Sequence, residues 1–405
     1  MKSEQQYIDF YDEAGAQIRG RSCDVMNDAR DRAIGVFRDK GFPTRKVERY
    51  KYTDVAACFE PEYGIALGPL DVADSPYVTT IGRGGVTATR HYATVADMDD
   101  PLTALNTALA HDGVLIHVPR GVRVETPIQV DNWLRGDVPT MMNRRMLIVL
   151  EQSAEATIII HDHADDGQRF LSTQVIEVVV MDNSSLDMYE VEETNKSCSR
   201  FSNVYVRMGR DCRVKHNSIT LNNGLTRNLC DVYLQGENSE VTLNGCAIGD
   251  GEQHIDNNTL IDHQVPNCVS DELYKYVLDD MSVGAFAGRV LVRKDAQKTS
   301  SRETNSNLCA SPEARMYTQP MLEIYADDVK CAHGSTVGVM DETALFYMRQ
   351  RGVPEALARM LLKNAFMGQV IDQIRYQPLR DKLFVKVEKR FRGELEKCGV
   401  CGLCK

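Results

Sequence analysis

No stretch of this 405-residue chain approaches the roughly 20 consecutive apolar residues needed to span a bilayer. Its first residues, Met1-Lys2-Ser3-Glu4-Gln5-Gln6, lack the basic-then-apolar pattern of a secretory signal. A cytoplasmic protein is therefore expected. The sequence contains no Gly-x-x-x-x-Gly-Lys-Ser/Thr phosphate loop, so ATP hydrolysis by the chain alone is not expected. Its tightest glycine cluster, Gly82-Arg83-Gly84-Gly85, misses the Gly-x-Gly-x-x-Gly spacing. A Gly-x-Ser-x-Gly nucleophile elbow and a His-Glu-x-x-His zinc motif are also missing. These absences favour a non-enzymatic role. Positive charge is short as well: 47 Lys and Arg stand against 58 Asp and Glu, a net charge of −11. Nucleic acid and anionic membrane surfaces would both repel such a chain and are excluded as main partners.

Cysteine is plentiful, with 12 residues. In a long chain without an export signal, reduced thiols are the expectation rather than a disulfide framework. Cys23, Cys58, Cys198, Cys212, Cys230, Cys246, Cys268 and Cys309 are isolated in sequence and read as small buried hydrophobes.

Residues 1–112 read as a helical region and connector. One helix is predicted over 3–40 from Tyr7, Ile8, Tyr11, Ile18, Met26, Ala33 and Val36, stopped by Gly41 and Pro43. A second, at 99–111, has Pro101 near its start and Leu102, Leu105, Ala108 and Leu109 on one face. Between 113 and 338, short apolar or β-branched runs recur, as at 114–118, 146–150, 156–160, 175–180, 203–206, 231–234 and 290–292. Turn clusters such as Asp182-Asn183-Ser184-Ser185 and Leu221-Asn222-Asn223-Gly224 separate them, with no crossover helix. A sandwich, a barrel or a stacked β-solenoid satisfies that pattern, and its length favours the solenoid. Residues 339–395 return to helix. Asp341 caps the first helix, Gly352 ends it, and Pro354 opens a second with Leu357, Leu361, Ala365 and Ile371 as its inner face. A third runs from Leu383 to Phe391. Residues 396–405 form a cysteine-rich tail.

Three constellations could carry chemistry. Cys331 and His333 lie two apart at the end of an apparent strand, so thiolate and imidazole can share a face and a soft metal. Alternatively they are a buried thiol beside a hydrogen-bonded histidine. His161-Asp162-His163 places two imidazoles on one strand face, with Asp165 and Asp166 nearby. This is a possible divalent-metal set, although a solvated loop at a solenoid corner is the plainer reading. Cys398, Cys401 and Cys404 form a Cys-x-x-Cys-x-x-Cys run, the opening of a ferredoxin-type run without its fourth cysteine. They could take up iron or zinc, or form an unstructured tail.

The segments Phe286-Ala287-Gly288-Arg289-Val290, Asn305-Ser306-Asn307-Leu308, Pro320-Met321-Leu322-Glu323-Ile324, Asp327 to Gly338 and Arg351-Gly352 follow one another in order and spacing. In this they resemble the SufB/SufD family of SUF iron–sulfur cluster assembly scaffolds, and Ala332-His333-Gly334 has the form of its SufD-type branch. Glu48-Arg49-Tyr50-Lys51-Tyr52-Thr53 resembles the family's N-terminal Glu-x-Trp-Lys-Tyr-Thr motif, with Tyr for Trp. The resemblance covers nearly the whole chain.

What the resemblance implies is a mainly β protein, a right-handed parallel β-helix between helical segments. It implies a non-catalytic scaffold that pairs with a SufB-type paralogue and docks a SufC-type ABC ATPase on helices within 341–375. Leu345, Phe346, Tyr347, Arg351, Leu357, Leu361 and Phe366 are the expected docking residues. His333 falls on the histidine implicated in forming a transient iron–sulfur cluster, or in holding iron, at the shared interface, and Cys331 two residues before it is the expected partner at that site. Reduced flavin is associated with such complexes, although no tightly bound cofactor is expected on the isolated chain. A homodimer in isolation is plausible. The cysteine tail lies outside the family pattern. Two alternatives are an independent metal binder using the tail, and a β-helix polysaccharide-cleaving enzyme with an acidic groove at Asp162, Asp165 and Asp166.

Overall fold

The structure, a computed structural model, describes residues 3–67 and 74–394. Helices α1 (Ser3–Gly20), α2 (Asp24–Lys40), α3 (Val55–Phe59), α4 (Gly85–His91) and α5 (Pro101–Leu109) make up the N-terminal part, with short strands β1 (Gly64–Ile65) and β2 (Val78–Thr80) among them. The long helix expected over 3–40 is two helices. The chain turns at Arg21–Cys23, which lets Arg30 of α2 donate to the carbonyls of Ala108 and Ala110 at 2.5 and 3.0 Å. Those carbonyls sit at the α5 C-terminus, where the helix offers no N–H partner. One buried guanidinium thus fixes α2 across α5.

Sixteen strands follow, alternating between two parallel sheets. One takes β3 (Val114–Val118), β5 (Thr140–Leu150), β7 (Phe170–Val180), β9 (Cys198–Met208), β11 (Leu225–Leu234), β13 (His254–His263), β15 (Val283–Val292) and β17 (Arg315–Ile324). The other takes β4 (Ile128–Leu134), β6 (Glu155–Ala164), β8 (Ser185–Glu193), β10 (Arg213–Asn222), β12 (Glu240–Gly249), β14 (Val269–Leu278), β16 (Ser300–Cys309) and β18 (Lys330–Gly338). Consecutive strands lie in opposite sheets while each pairs in parallel with the strand two before it. That is a parallel β-helix. From Glu155 the register advances by 30 residues to Ser185, then by 28, 27, 29, 31 and 30 to Lys330. The varying turns absorb the difference, which is why no fixed repeat is visible in the sequence.

Alternate side chains point into the coil. In the early coils the inward set is aliphatic: Ile148, Leu150, Ile158, Ile160, Ile176, Val178, Leu186 and Met188 are buried together. Outward side chains are covered too. Met141, Leu171 and Phe201 pack beneath α1, α2 and α5. On the opposite sheet, Ile159, Val191, Ile219 and Ile248 pack beneath the C-terminal helices. At roughly 25 cal/mol per Å² of apolar surface, this cover on both outer faces adds to the stabilisation from the interior column.

The C-terminal helices are α6 (Glu342–Gln350), α7 (Glu355–Ile371) and α8 (Gln377–Arg392). Asp341 caps α6 by accepting from the N–H groups of Thr343 and Ala344, as its sequence position suggests. Gly352 adopts φ +84°, a left-handed conformation open to glycine at little cost, and ends the α6 segment. The inner face of α7 differs from the expectation. Ala358, Met367, Val370 and Ile371 are buried, whereas Leu357 and Leu361 are 41% exposed. Ala365 is exposed too, so of the four residues expected on the inner face only Ile371 is buried, and the solenoid takes the neighbouring stripe of Ala358, Met367 and Val370. Among the described residues no helix is long and apolar enough to cross a membrane.

Candidate functional site at the open end of the solenoid

β18 is the terminal strand of its sheet and pairs only with β16. Its register sets Cys331 over Ser301, His333 over Glu303 and Ser335 over Asn305. Ser301, Glu303 and Asn305 are all buried inward residues. Ser335 Oγ lies 2.6 Å from Thr318 Oγ1 on the opposite sheet, so this face of β18 closes the top of the coil. Cys331, half-buried, packs with Val290, Val292, Leu322 and Val329. His333 shares that face and is exposed. The structure therefore brings Cys331 and His333 to one face of an edge strand, as their spacing predicts. Burial pushes the Cys331 thiol up, partly offset by a backbone hydrogen bond from Ser301, so in the isolated chain it favours the protonated form.

Beneath His333 lies a feature that sequence reasoning missed. Glu303 stacks on Glu272 in the β16–β14 register, with about 4.8 Å per rung. Both are buried (1% and 0% exposed), and neither carboxyl makes a hydrogen bond of normal geometry. Space for Glu303 comes from Gly288, where a Cβ would stand 2.2 Å from Oε1. Burial raises both carboxyls, and for Glu303 the neighbouring Glu272 adds to the rise, so at neutral pH the pair retains a proton. The Thr259 hydroxyl opposes this for Glu272 without preventing it. The only signal in the sequence was parity: Glu272 is in phase with the inward Tyr274, Tyr276 and Leu278.

Asp162 is also inward and 1% exposed. Arg144 Nη1 lies 2.8 Å from Oδ1 and Arg200 Nε 2.5 Å from Oδ2, while Arg200 reaches Glu190 at 2.9 Å. The acidic glycan-cleaving surface expected around Asp162 is thereby overturned, since its central carboxylate is sealed inside the coil by two guanidinium groups.

His161 and His163 do not occupy a solvated corner loop. They are outward residues of β6, 1% and 0% exposed. Asp131, not Asp165 or Asp166, completes a set of ligand atoms within 4.8 Å of one another.

Of the expected docking residues, Phe346 and Tyr347 are 61% and 60% exposed, and Leu357 and Leu361 stand outward beside them. Arg351 donates to Tyr347 Oη at 2.9 Å and stays exposed. Leu345 is 2% exposed and Phe366 is half-buried beneath Lys275, 4.1 Å from its ring. Leu345 anchors α6 and has no free surface to offer. Cys398, Cys401 and Cys404 lie outside the described residues.

A cleft of about 1100 Å³ lies elsewhere, bordered by Arg45, Lys51, Arg169, Lys196, Arg315 and Tyr63. None of the predicted site residues lines it.

The family profile described as the SUF system FeS cluster assembly SufBD core domain matches residues 133–366, and the SufBD protein N-terminal region matches 1–80 and 86–130. The chain is similar to the iron–sulfur cluster assembly protein SufD of Escherichia coli K12, 27% identical over 381 residues that cover 87% of this chain and 90% of that protein. It is also similar to a SufBD family protein of Synechocystis (28% identical, 71% and 65% covered). A third relative is SufD of Bacillus subtilis (26% identical, 72% and 67% covered).

Proposed function

Because the chain belongs to the SufBD family of SUF-system iron–sulfur cluster assembly proteins, we propose that it acts as a SufD-type, non-catalytic scaffold subunit. The cluster is its cargo, and the assembly surface is the open end of the β-helix. The observation that carries this reading is the placement of Cys331 and His333 on one face of a terminal strand whose other edge has no partner among the described residues. A SufB-type paralogue adding its own edge to β18 would bring further thiolates against that face. Unpaired strand edges invite such pairing. Exposed Tyr325, Val337 and Val339, at 64%, 51% and 76%, suit the same contact. A second copy of this chain could use it when the paralogue is absent.

The raised Cys331 thiol fits a resting state. A SufC-type ATPase docked on Phe346, Tyr347, Leu357 and Leu361 would move the subunit pair on ATP binding and open the packing around Cys331. In solvent the thiol would ionise and, with His333, hold iron during assembly. If reduced flavin supplies electrons to the complex, the cleft of Arg45, Lys51, Arg169 and Arg315 is where this chain could hold its phosphates.

Co-expression with SufB-type and SufC-type partners, followed by gel filtration and iron and sulfide analysis, tests the reading. A three-component complex carrying iron and sulfide supports it. If the chain elutes alone in the presence of both partners, the scaffold assignment fails.

A further inference from the structure

We infer that His161, His163 and Asp131 form a binding site for a divalent first-row transition metal, on the outer face of the solenoid and beneath the last helix. Ile158 and Ile160 point into the core, so His161 and His163 point out. The β4 register sets Asp131 against His161, and the β8 register sets Glu193 against His163. Three rungs thus place a carboxylate, two imidazoles and a second carboxylate on neighbouring lattice points.

The donor geometry suits a metal. The two imidazole centroids are 3.6 Å apart and tilted by 52°, while His161 Nδ1 lies 3.9 Å from Asp131 Oδ1. With ligand bonds of about 2.0–2.2 Å, tetrahedral donors sit roughly 3.3–3.5 Å apart, so the present spread within 4.8 Å needs a contraction of at most about 1.5 Å. Asp131 is the exposed member of the set, while both imidazoles are buried.

Supporting contacts fix the rings. The other nitrogen of His161, Nε2, lies 2.9 Å from Glu193 Oε2, and Lys386 of α8 donates to both Glu193 oxygens at 2.7 and 2.6 Å. A histidine whose far nitrogen meets a carboxylate is the usual outer-sphere arrangement for metal-binding imidazole. Trp133 stacks on His163 at 4.7 Å and 20°, holding its plane. Gln129 donates to both Asp131 oxygens at 3.0 Å, and a cavity of about 190 Å³ bordered by Gln129, His161, Tyr376, Leu379 and Lys382 adjoins the His161 side of the set. Two imidazoles and one carboxylate suit Zn²⁺ or Fe²⁺ and not Ca²⁺ or Mg²⁺. The Glu193–Lys386 contact ties the ion to α8, so occupancy would hold that helix on the solenoid.

The test uses the full chain with Cys398, Cys401 and Cys404 each changed to Ser, which removes the tail thiolates. Co²⁺ alone is titrated anaerobically while visible absorption is followed, and Zn²⁺ alone is titrated by calorimetry. The expected result is one equivalent of Co²⁺ with d–d bands and no sulfur-to-cobalt charge transfer, weakened at least tenfold by Asp131→Ala and by His163→Ala. Asp131 is exposed, so its variant should fold even if the His163 variant does not. The melting temperature should rise with Zn²⁺ in the parent and not in Asp131→Ala. A charge-transfer band, or binding unchanged in folded Asp131→Ala, would place the metal on other residues and overturn the inference. Absence of binding in the parent would overturn it too.

Discussion

His333 stands one rung above Glu303 on the inward face of the last two paired strands, so the exposed imidazole at the solenoid mouth caps a column of buried carboxyls. The same strand brings Cys331 to that face, two residues away. An edge strand keeps half of its backbone groups for a partner. The mouth therefore combines a pairing edge with a thiol and an imidazole on one face, while the interior below stays closed.

His333→Ala should leave the isolated chain folded, because an exposed side chain removes little packing, within about 0.5 kcal/mol. In the three-component complex it should sharply lower iron and sulfide content. Cys331→Ser should also lower it, at a stability cost of about 1 kcal/mol because that thiol packs against Val290 and Leu322. Denaturant melts beside metal analysis separate the two effects. Full cluster formation by His333→Ala would remove the site assignment.

Gly288→Ala should destabilise the chain by about 1–3 kcal/mol, since the added methyl would overlap the Glu303 carboxyl and the Phe286 ring within a packed coil. Glu303→Ala vacates that space. The double variant should therefore lose less than the sum of the singles, a coupling of about 1 kcal/mol or more. Additive losses in urea titrations would mean that Gly288 is required for another reason.

Phe346→Asp with Tyr347→Asp should abolish retention of the SufC-type ATPase while the melting temperature of the isolated chain stays unchanged, because both rings face solvent. Leu345→Ala should do the reverse. It leaves the docking surface chemically intact but costs about 2–4 kcal/mol by emptying a buried site. Pull-down and thermal melting on the same preparations distinguish the two classes.

What could be read from the sequence followed a physical divide. The 146–150 run of β5 announced itself because both of its faces are apolar and buried. β16, Ser300–Cys309, turns Ser301, Glu303, Asn305 and Asn307 inward and carries no comparable signal. Cys331 and His333 were legible because they are two apart. Glu272 and Glu303 are 31 residues apart, and Glu303 and His333 are 30 apart. Only the register, set by turns of unequal length, brings them together. The same holds for Asp131, whose place beside His161 a nearer pair of aspartates obscured. On α7 the helical period was right and the phase wrong, since Leu357 and Ala358 offer adjacent stripes and the underlying sheet selects between them.

The buried carboxyl pair should make stability fall as pH rises. Both groups are raised in the folded chain, Glu272 to about 7 and Glu303 to about 9, against about 4.3 when unfolded. Between those limits the folded state holds more protons than the unfolded one, so ionisation favours unfolding by at most about 1.4 kcal/mol per pH unit for each proton. Below about pH 4 the pair contributes nothing, because both states are protonated. Glu303→Gln removes one titration and the repulsion that accompanies it. Its stability relative to the parent should therefore improve steadily from pH 5.5 to pH 8.5, and Glu272→Gln combined with it should flatten the remaining slope. Buried salt bridges such as Asp162–Arg200 act in the opposite sense but only at low pH, since Asp162 is held below the usual carboxylate range despite its burial, by Arg200 and Arg144. Urea midpoints at four pH values across that window check the sign. Parallel curves for parent and variant would mean that the two carboxyls reach water in the folded chain, and the column beneath His333 would then be open rather than sealed.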